Sequence, residues 1–219
     1  MRKQFAVIGL GRFGSSVAQT LSELGHDVLA VDTNEGAVQS MMNYVTHAVQ
    51  ADAQDEDTLR ALGIRNFEVA IVAIGDDVQA NILITLMLKE MGVKKVIAKA
   101  INLQHGKVLE KIGADKVIYP EKDMGIRLAH QLVSYNVMDF MELAEGYKVI
   151  EAKTPLKFVG KTLSALNLRA KYGISVIAIK KADRILVAPG ADELIEEDDV
   201  LVIVGDNEAL TRMQDLIEK

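Results

Sequence analysis

The stretch Gly9-Leu10-Gly11-Arg12-Phe13-Gly14 constrains this chain more than any other. It follows a short, β-rich apolar run, Phe5-Ala6-Val7-Ile8. It leads into a segment with Val17, Leu21 and Leu24 on one helical face, stopped by Gly25. Val28-Leu29-Ala30-Val31 then predicts a second buried strand, ending at Asp32. A strand, a G-x-G-x-x-G turn that opens a helix, and an acidic residue closing the next strand make up the dinucleotide fingerprint. Gly9 permits the tight turn, Gly11 lets phosphates approach the main chain, and Gly14 lets the helix pack on the sheet. Free N–H groups at the helix start face the anion. Asp32 is placed to accept hydrogen bonds from both ribose hydroxyls, and it can also cap the helix that follows. Its charge repels a 2′-phosphate, which disfavours NADP.

The same rhythm runs on to residue 120. Further apolar strands are predicted around Ala48-Val49 and over 69–74, 96–98 and 117–119. Between them lie helical stretches, from Glu35 to Asn43, around Leu59 and Leu62, along Ile82, Leu83, Leu86 and Met87, and along Val108, Leu109 and Ile112. Gly63, Gly92 and Gly113 close the last three. Strands that are apolar throughout and alternate with helices predict a parallel sheet covered on both faces. The fold class is α/β: a Rossmann-like, doubly wound sheet of six strands. Open sheets of this kind bind ligands at the carboxyl ends of their strands. Asp52 and Ala53 follow strand three, Ile74 and Gly75 end strand four, and Lys99 ends strand five. Arg12, at the helix start, offers a guanidinium to a further phosphate or to one held by a neighbouring subunit, or is a solvated surface residue.

After Pro120 the pattern changes. A helix from Asp123 to Ser134, with Leu128, Leu132 and Val133 on its apolar side, leads to short strands at 148–152, 175–179, 185–188 and 200–204, and to a terminal helix over 209–217. This predicts a small α+β module. The organisation is a nucleotide domain at 1–120, a crossover helix and linker at 121–139, and a ligand-binding and dimerisation domain at 140–219. Net charge bears on partners: 14 basic residues stand against 17 acidic before residue 140, and 11 against 14 after it. Neither half is a basic nucleic-acid module. With aromatics at 5% and no tryptophan, base stacking is poorly served too. Cysteine is absent, which removes thiolate ligands and nucleophiles. His26, His47, His105 and His130 form no metal spacing, His47 reading as a strand residue and His105 as a helix-surface one. There is no P-loop, and the second module offers no evident acid/base pair. No apolar run approaches the ~20 residues of a membrane span, and Phe5–Leu10 is too short for a secretory signal. The expectation is a cytoplasmic protein without membrane insertion, and a nucleotide site without a chemical site, which is to say a sensor.

Longer motifs point to a family. Phe5-Ala-Val-Ile-Gly-Leu-Gly-Arg-Phe-Gly14, Gly63-Ile-Arg-Asn-Phe67, Val108-Leu-Glu-Lys-Ile-Gly-Ala-Asp115, Pro120-Glu-Lys-Asp-Met-Gly125 and Arg169-Ala-Lys-Tyr-Gly173 resemble the KTN/RCK proteins that regulate potassium transport, most of all the cytosolic subunits of Ktr systems. The likeness covers both domains. It implies a homo-octameric ring beneath a dimeric KtrB- or KtrD-type membrane subunit, with transport activated by ATP and inactivated by ADP. NAD or NADH can also bind, and cyclic di-AMP inhibits through the C-terminal RCK module. It implies phosphates on Gly11, Arg12, Phe13 and Gly14, ribose on Asp32, and adenine near Asp52, Ala53 and Ile74. Arg12 would reach the γ-phosphate held by the partner subunit. Glu121 would help hold a divalent or monovalent cation between facing nucleotides, although a first-turn carboxylate also suits a helix N-terminus without one. Asp52 departs from the asparagine associated with KtrA-type subunits, a change that can alter nucleotide preference. Cyclic di-AMP would lie at a two-fold interface on Asn167, Arg169, Ala170, Ile174 and Pro189, and Met124, Met138, Phe140 and Met141 are available for contacts between subunits. The alternatives are a regulator of a Trk-type or efflux system and, less well supported, a small NAD-dependent oxidoreductase.

Overall fold

A computed structural model describes residues 2–133 and 137–217. The chain divides into two units, Met1–Lys122 and Asp123–Lys219. In the first, β1 (Gln4–Ile8), β2 (Asp27–Asp32), β3 (His47–Gln50), β4 (Val69–Val72), β5 (Lys95–Lys99) and β6 (Lys116–Ile118) form one parallel sheet in the order β3-β2-β1-β4-β5-β6. The strand order reverses beside β1, the switch point where such sheets bind ligands. The connecting helices are α1 (Arg12–Glu23), α2 (Glu35–Met41), α3 (Glu56–Ala61), α4 (Val78–Glu90) and α5 (Leu103–Lys111).

The two-residue period of each strand sends its side chains to two separate cores. Ala6, Ile8, Leu29, Val31, Ala70 and Val72 pack with Leu59, Ile84, Leu88 and Leu109 on one face. Val7, Val28, Ala30, Ile71 and Ala73 pack with Ala18, Val38 and Met41 on the other. Because both faces are buried, the strands read as unbroken apolar runs, and the predicted doubly wound sheet is what forms.

Several details differ from the sequence reading. Strand β4 ends at Val72, so Ile74 lies in the turn beyond it. His105 is not a surface residue: it is 4% exposed on α5, and its Nε2 is buried without a hydrogen-bond partner. Its neighbour Gly106 explains why, since a side chain there would run into the Tyr119 hydroxyl and the helix lies tight against that ring. The helix after β6, α6, begins at Pro120 and runs to Val133. Proline suits a first turn, where its missing N–H costs nothing. Leu128 and Leu132 are exposed on it, while the Val133 side chain and Ser134 lie outside the described residues.

In the second unit β7 (Val137–Ala144), β8 (Tyr147–Lys153), β9 (Ser175–Lys180), β10 (Ile185–Val187) and β11 (Val200–Asp206) form a second sheet, antiparallel, in the order β10-β9-β11-β8-β7. The short helices α7 (Leu163–Leu166) and α8 (Leu168–Tyr172) and the terminal α9 (Asn207–Ile217) complete it. Phe158, Leu168, Ile174, Ile179, Ile195, Leu201, Ile203 and Met213 form its core. One ionic cluster pins the loop before β11. Lys181 Nζ, 8% exposed, lies 3.1 Å from Asp199, 3.3 Å from Glu193 and 3.4 Å from Glu196. Burial alone would push this ammonium's pKa down, but the hydrogen bonds to Asp199 and Glu193 hold it above its ordinary value.

Candidate functional site

A cleft of about 770 Å³ opens at the carboxyl ends of the parallel strands. Gly9, Gly11, Arg12, Phe13, Asp32, Asp52, Ala53, Ile74, Gly75, Lys99 and Glu121 all line it, although they come from segments spread over more than a hundred residues. Gly14 lies behind it. A Cβ on Gly14 would sit 1.8 Å from the Gly9 carbonyl oxygen, so this glycine is a packing requirement between loop and helix. Gly9 has φ +95, a conformation only glycine adopts without strain, and it turns the chain from β1 into the loop.

Asp32 holds the loop as well as facing the cleft. Its Oδ2 accepts from the Leu10 N–H at 2.5 Å and its Oδ1 from the Asn34 N–H at 2.8 Å. It does not cap α2; Asn34 does, accepting from the Ala37 N–H at 2.9 Å. Each carboxylate oxygen retains a further lone pair, enough for two ribose hydroxyls. Asp52 ends in an Asx turn, accepting from the Gln54 N–H at 2.9 Å, beside the buried Ala53. Arg12 is exposed at the mouth.

Lys99 crosses toward α6, its Nζ 2.7 Å from Glu121 Oε1 and 6.0 Å from the Phe13 ring centre. That bond from Lys99, with the Arg12 charge nearby, holds the Glu121 carboxyl below the usual glutamate range. A cation on Glu121 would have to share the carboxylate with this ammonium or displace it. Among the described residues no group of three His, Asp or Glu side chains is placed to hold a metal ion. A cation at Glu121 would therefore draw its other ligands from outside this chain, such as the phosphates of bound nucleotides.

Sequence reasoning missed Asn81. It is fully buried on α4 and donates to the Ile74 carbonyl at 2.6 Å and the Lys99 carbonyl at 3.0 Å, tying the ends of β4 and β5 together. The signal was an amide within the apolar run of that helix. Thr33, Asn34, Gln54, Asp76 and Asp77 also line the cleft. In the second unit, Asn167 (φ +46), Arg169 and Ala170 are exposed where α7 meets α8, and Pro189 is half-buried. Ile174 is fully buried in that unit's core, so it is not a surface that a ligand can touch in this arrangement. Met124 and Met141 are exposed, whereas the Met138 and Phe140 side chains lie outside the described residues.

Residues 5–120 match the TrkA-N domain and residues 149–218 the TrkA-C domain. The chain is 47% identical to Ktr system potassium uptake protein C of Bacillus subtilis, covering 98% of this chain and 97% of that one. It is 48% identical to Ktr system potassium uptake protein A of the same organism, covering 97% and 96%. Among solved structures, the GsuK RCK domain matches all of this chain and 48% of its own, with TM-score 0.69 and 19% identity, a likeness of fold. The GsuK channel bound to NAD matches 99% of this chain and 38% of its own (TM-score 0.53, 26% identity). GsuK bound to ADP matches 61% and 34% (TM-score 0.52, 25% identity). Among the described residues no helix is long and apolar enough to cross a membrane.

Proposed function

This chain belongs to the family of TrkA-N and TrkA-C domain proteins that includes the Ktr system potassium uptake proteins A and C, and from that premise we propose that it is the nucleotide-sensing regulatory subunit of such a system, working as a switch and not as an enzyme. The observation that carries this reading is the convergence of the glycine loop, Asp32, Asp52 and Lys99 on one cleft at the switch point of the sheet. The adenine lies against Ala53 and Ile74 beside Asp52, the ribose on Asp32, and the phosphates over Gly11–Phe13 at the start of α1. Neighbours solved with NAD and with ADP support an adenine nucleotide here.

The subunits assemble as a homo-octameric ring on a KtrB- or KtrD-type potassium transporter, so the protein is cytoplasmic and peripheral to the membrane. ATP favours the active ring and ADP the inactive one. Arg12 reads the difference, because only a γ-phosphate extends far enough to meet an arginine from the facing subunit. Cyclic di-AMP inhibits through the second unit, with Arg169 of two copies facing its two phosphates and Asn167 supplying hydrogen bonds.

Calorimetry with ADP, ATP and NADH on the wild-type chain and on Asp32→Ala tests the site. Loss of a charged hydrogen bond costs about 1.5–3 kcal/mol, so all three should weaken together by roughly 10- to 150-fold. Unchanged affinity in Asp32→Ala would remove the ribose assignment. Oxidation of NADH with turnover would favour the oxidoreductase reading instead.

A further inference from the structure

The Lys99–Glu121 pair has a geometry that a purely structural ion pair does not need. Lys99 is anchored at its main chain, where Asn81 holds its carbonyl at 3.0 Å, and its side chain is only 12% exposed. The side chain runs over the turn beyond β4: a Cβ on Gly75 would lie 3.0 Å from Nζ and 3.3 Å from Cε. The ammonium therefore stands over the turn that follows β4, 6.0 Å from the ring centre of Phe13 in the glycine loop. With a first phosphate over Gly11, Lys99 is the cleft-lining lysine available to a second. That ammonium is already served by a carboxylate, Glu121 Oε1 at 2.7 Å. Glu121 is 70% exposed and stands in the first turn of α6, so it can leave without disturbing any core.

We propose, resting on the nucleotide reading above, that Glu121 mimics a distal phosphate: it and the second phosphate of a nucleoside diphosphate or triphosphate compete for the Lys99 ammonium. Binding such a ligand exchanges one anion for the other and frees Glu121. A nucleoside monophosphate, whose single phosphate stops at the glycine loop, leaves the pair intact. The released residue sits at the start of the helix that continues from the first unit into the second, past Lys122. The exchange therefore acts on the segment that joins the two. It also predicts the opposite sign from a Glu121-bound cation, which would make the carboxylate a helper of nucleotide binding and not a rival.

The test is calorimetry of AMP and ADP, without divalent cation, on the full chain and on Glu121→Gln, Lys99→Met and the double variant. Glu121→Gln should tighten ADP by about two- to fivefold, the range of a partly exposed ion pair, and leave AMP unchanged. In the Lys99→Met background the same substitution should change nothing, because the two are coupled through one ammonium. Should Lys99→Met fail to fold, Lys99→Gln replaces it as the uncharged background, and Glu121→Gln should again change nothing there. Weaker ADP binding in Glu121→Gln, equal tightening of AMP, or a gain that persists without a cation at position 99 overturns the exchange alone. No binding of ADP by the wild-type chain overturns the nucleotide reading and the exchange with it.

Discussion

Replacing Gly11 with alanine should separate folding from ligand binding. Gly11 caps α1 with φ −67 and ψ −177, an extended conformation that alanine adopts without strain. A Cβ built there meets no atom within 4 Å. The folded chain therefore has room for the methyl group, while the unfolded chain loses freedom. Gly→Ala at a compatible site stabilises by about 0.4–1 kcal/mol through the unfolded chain, but alanine is a poorer N-cap than glycine by a comparable amount, so the net change should stay within about 1 kcal/mol of zero. The same methyl group projects into the space where the phosphates approach the main chain. If it displaces them from one or two charge-assisted N–H bonds, affinity for ADP falls by about 10-fold or more. Gly14→Ala is the control with the opposite logic: its Cβ lands on the Gly9 carbonyl oxygen, and the variant should lose at least about 3 kcal/mol or fail to fold. The assay is thermal unfolding followed by calorimetry with ADP on the same samples. A stable Gly11→Ala protein that binds ADP as the wild type does would show that the phosphates do not lie over this loop.

Three further outcomes follow from the geometry. Lys181→Met strands the buried Asp199 among two more carboxylates and should cost roughly 3–5 kcal/mol in urea unfolding; a loss below 1 kcal/mol would show the cluster to be solvated. Burial holds the pKa of His105 below its ordinary 6.5, so its neutral form contributes stability that is fully present above about pH 6.5 and lost as pH falls toward the folded pKa. Unfolding at about pH 7.5 and pH 5.5 should show this loss in the wild type and a smaller one in His105→Gln, and equal slopes would sink the assignment. Arg169→Ala should abolish calorimetric binding of cyclic di-AMP, at one ligand per two chains in the wild type, while sparing ADP; retained binding would clear Arg169 of that role.

The parts of this protein that were legible in the sequence share a local cause. Buried parallel strands must be apolar throughout, and a phosphate loop must be glycine-rich, so β1, β2, β4 and β5 and the floor of the cleft announce themselves. What escaped depends on distant partners. Nothing near Glu121 reveals that Lys99, 22 positions earlier, reaches it, and nothing near Lys181 foretells Asp199. His105 looked like a helix-surface residue because burial on α5 is set by Tyr119 and the tight approach at Gly106. The sequence leaves open a capping role for Asp32 beside the ribose role, yet its carboxylate serves Leu10 across the loop, and Asn34 takes the cap. Strand β7 was overlooked because its residues continue the apolar spacing of the preceding helix. Its pairing with β8 is interrupted by two register shifts that blur the alternation.

The most direct test of the central claim is potassium flux into liposomes that carry a KtrB- or KtrD-type transporter with this subunit bound, measured with ATP and then with ADP. Faster flux with ATP, slower flux with ADP, and loss of that difference in Arg12→Ala are the predicted results. Flux that ignores the nucleotide, in a preparation where the subunit is shown to be bound, would contradict it.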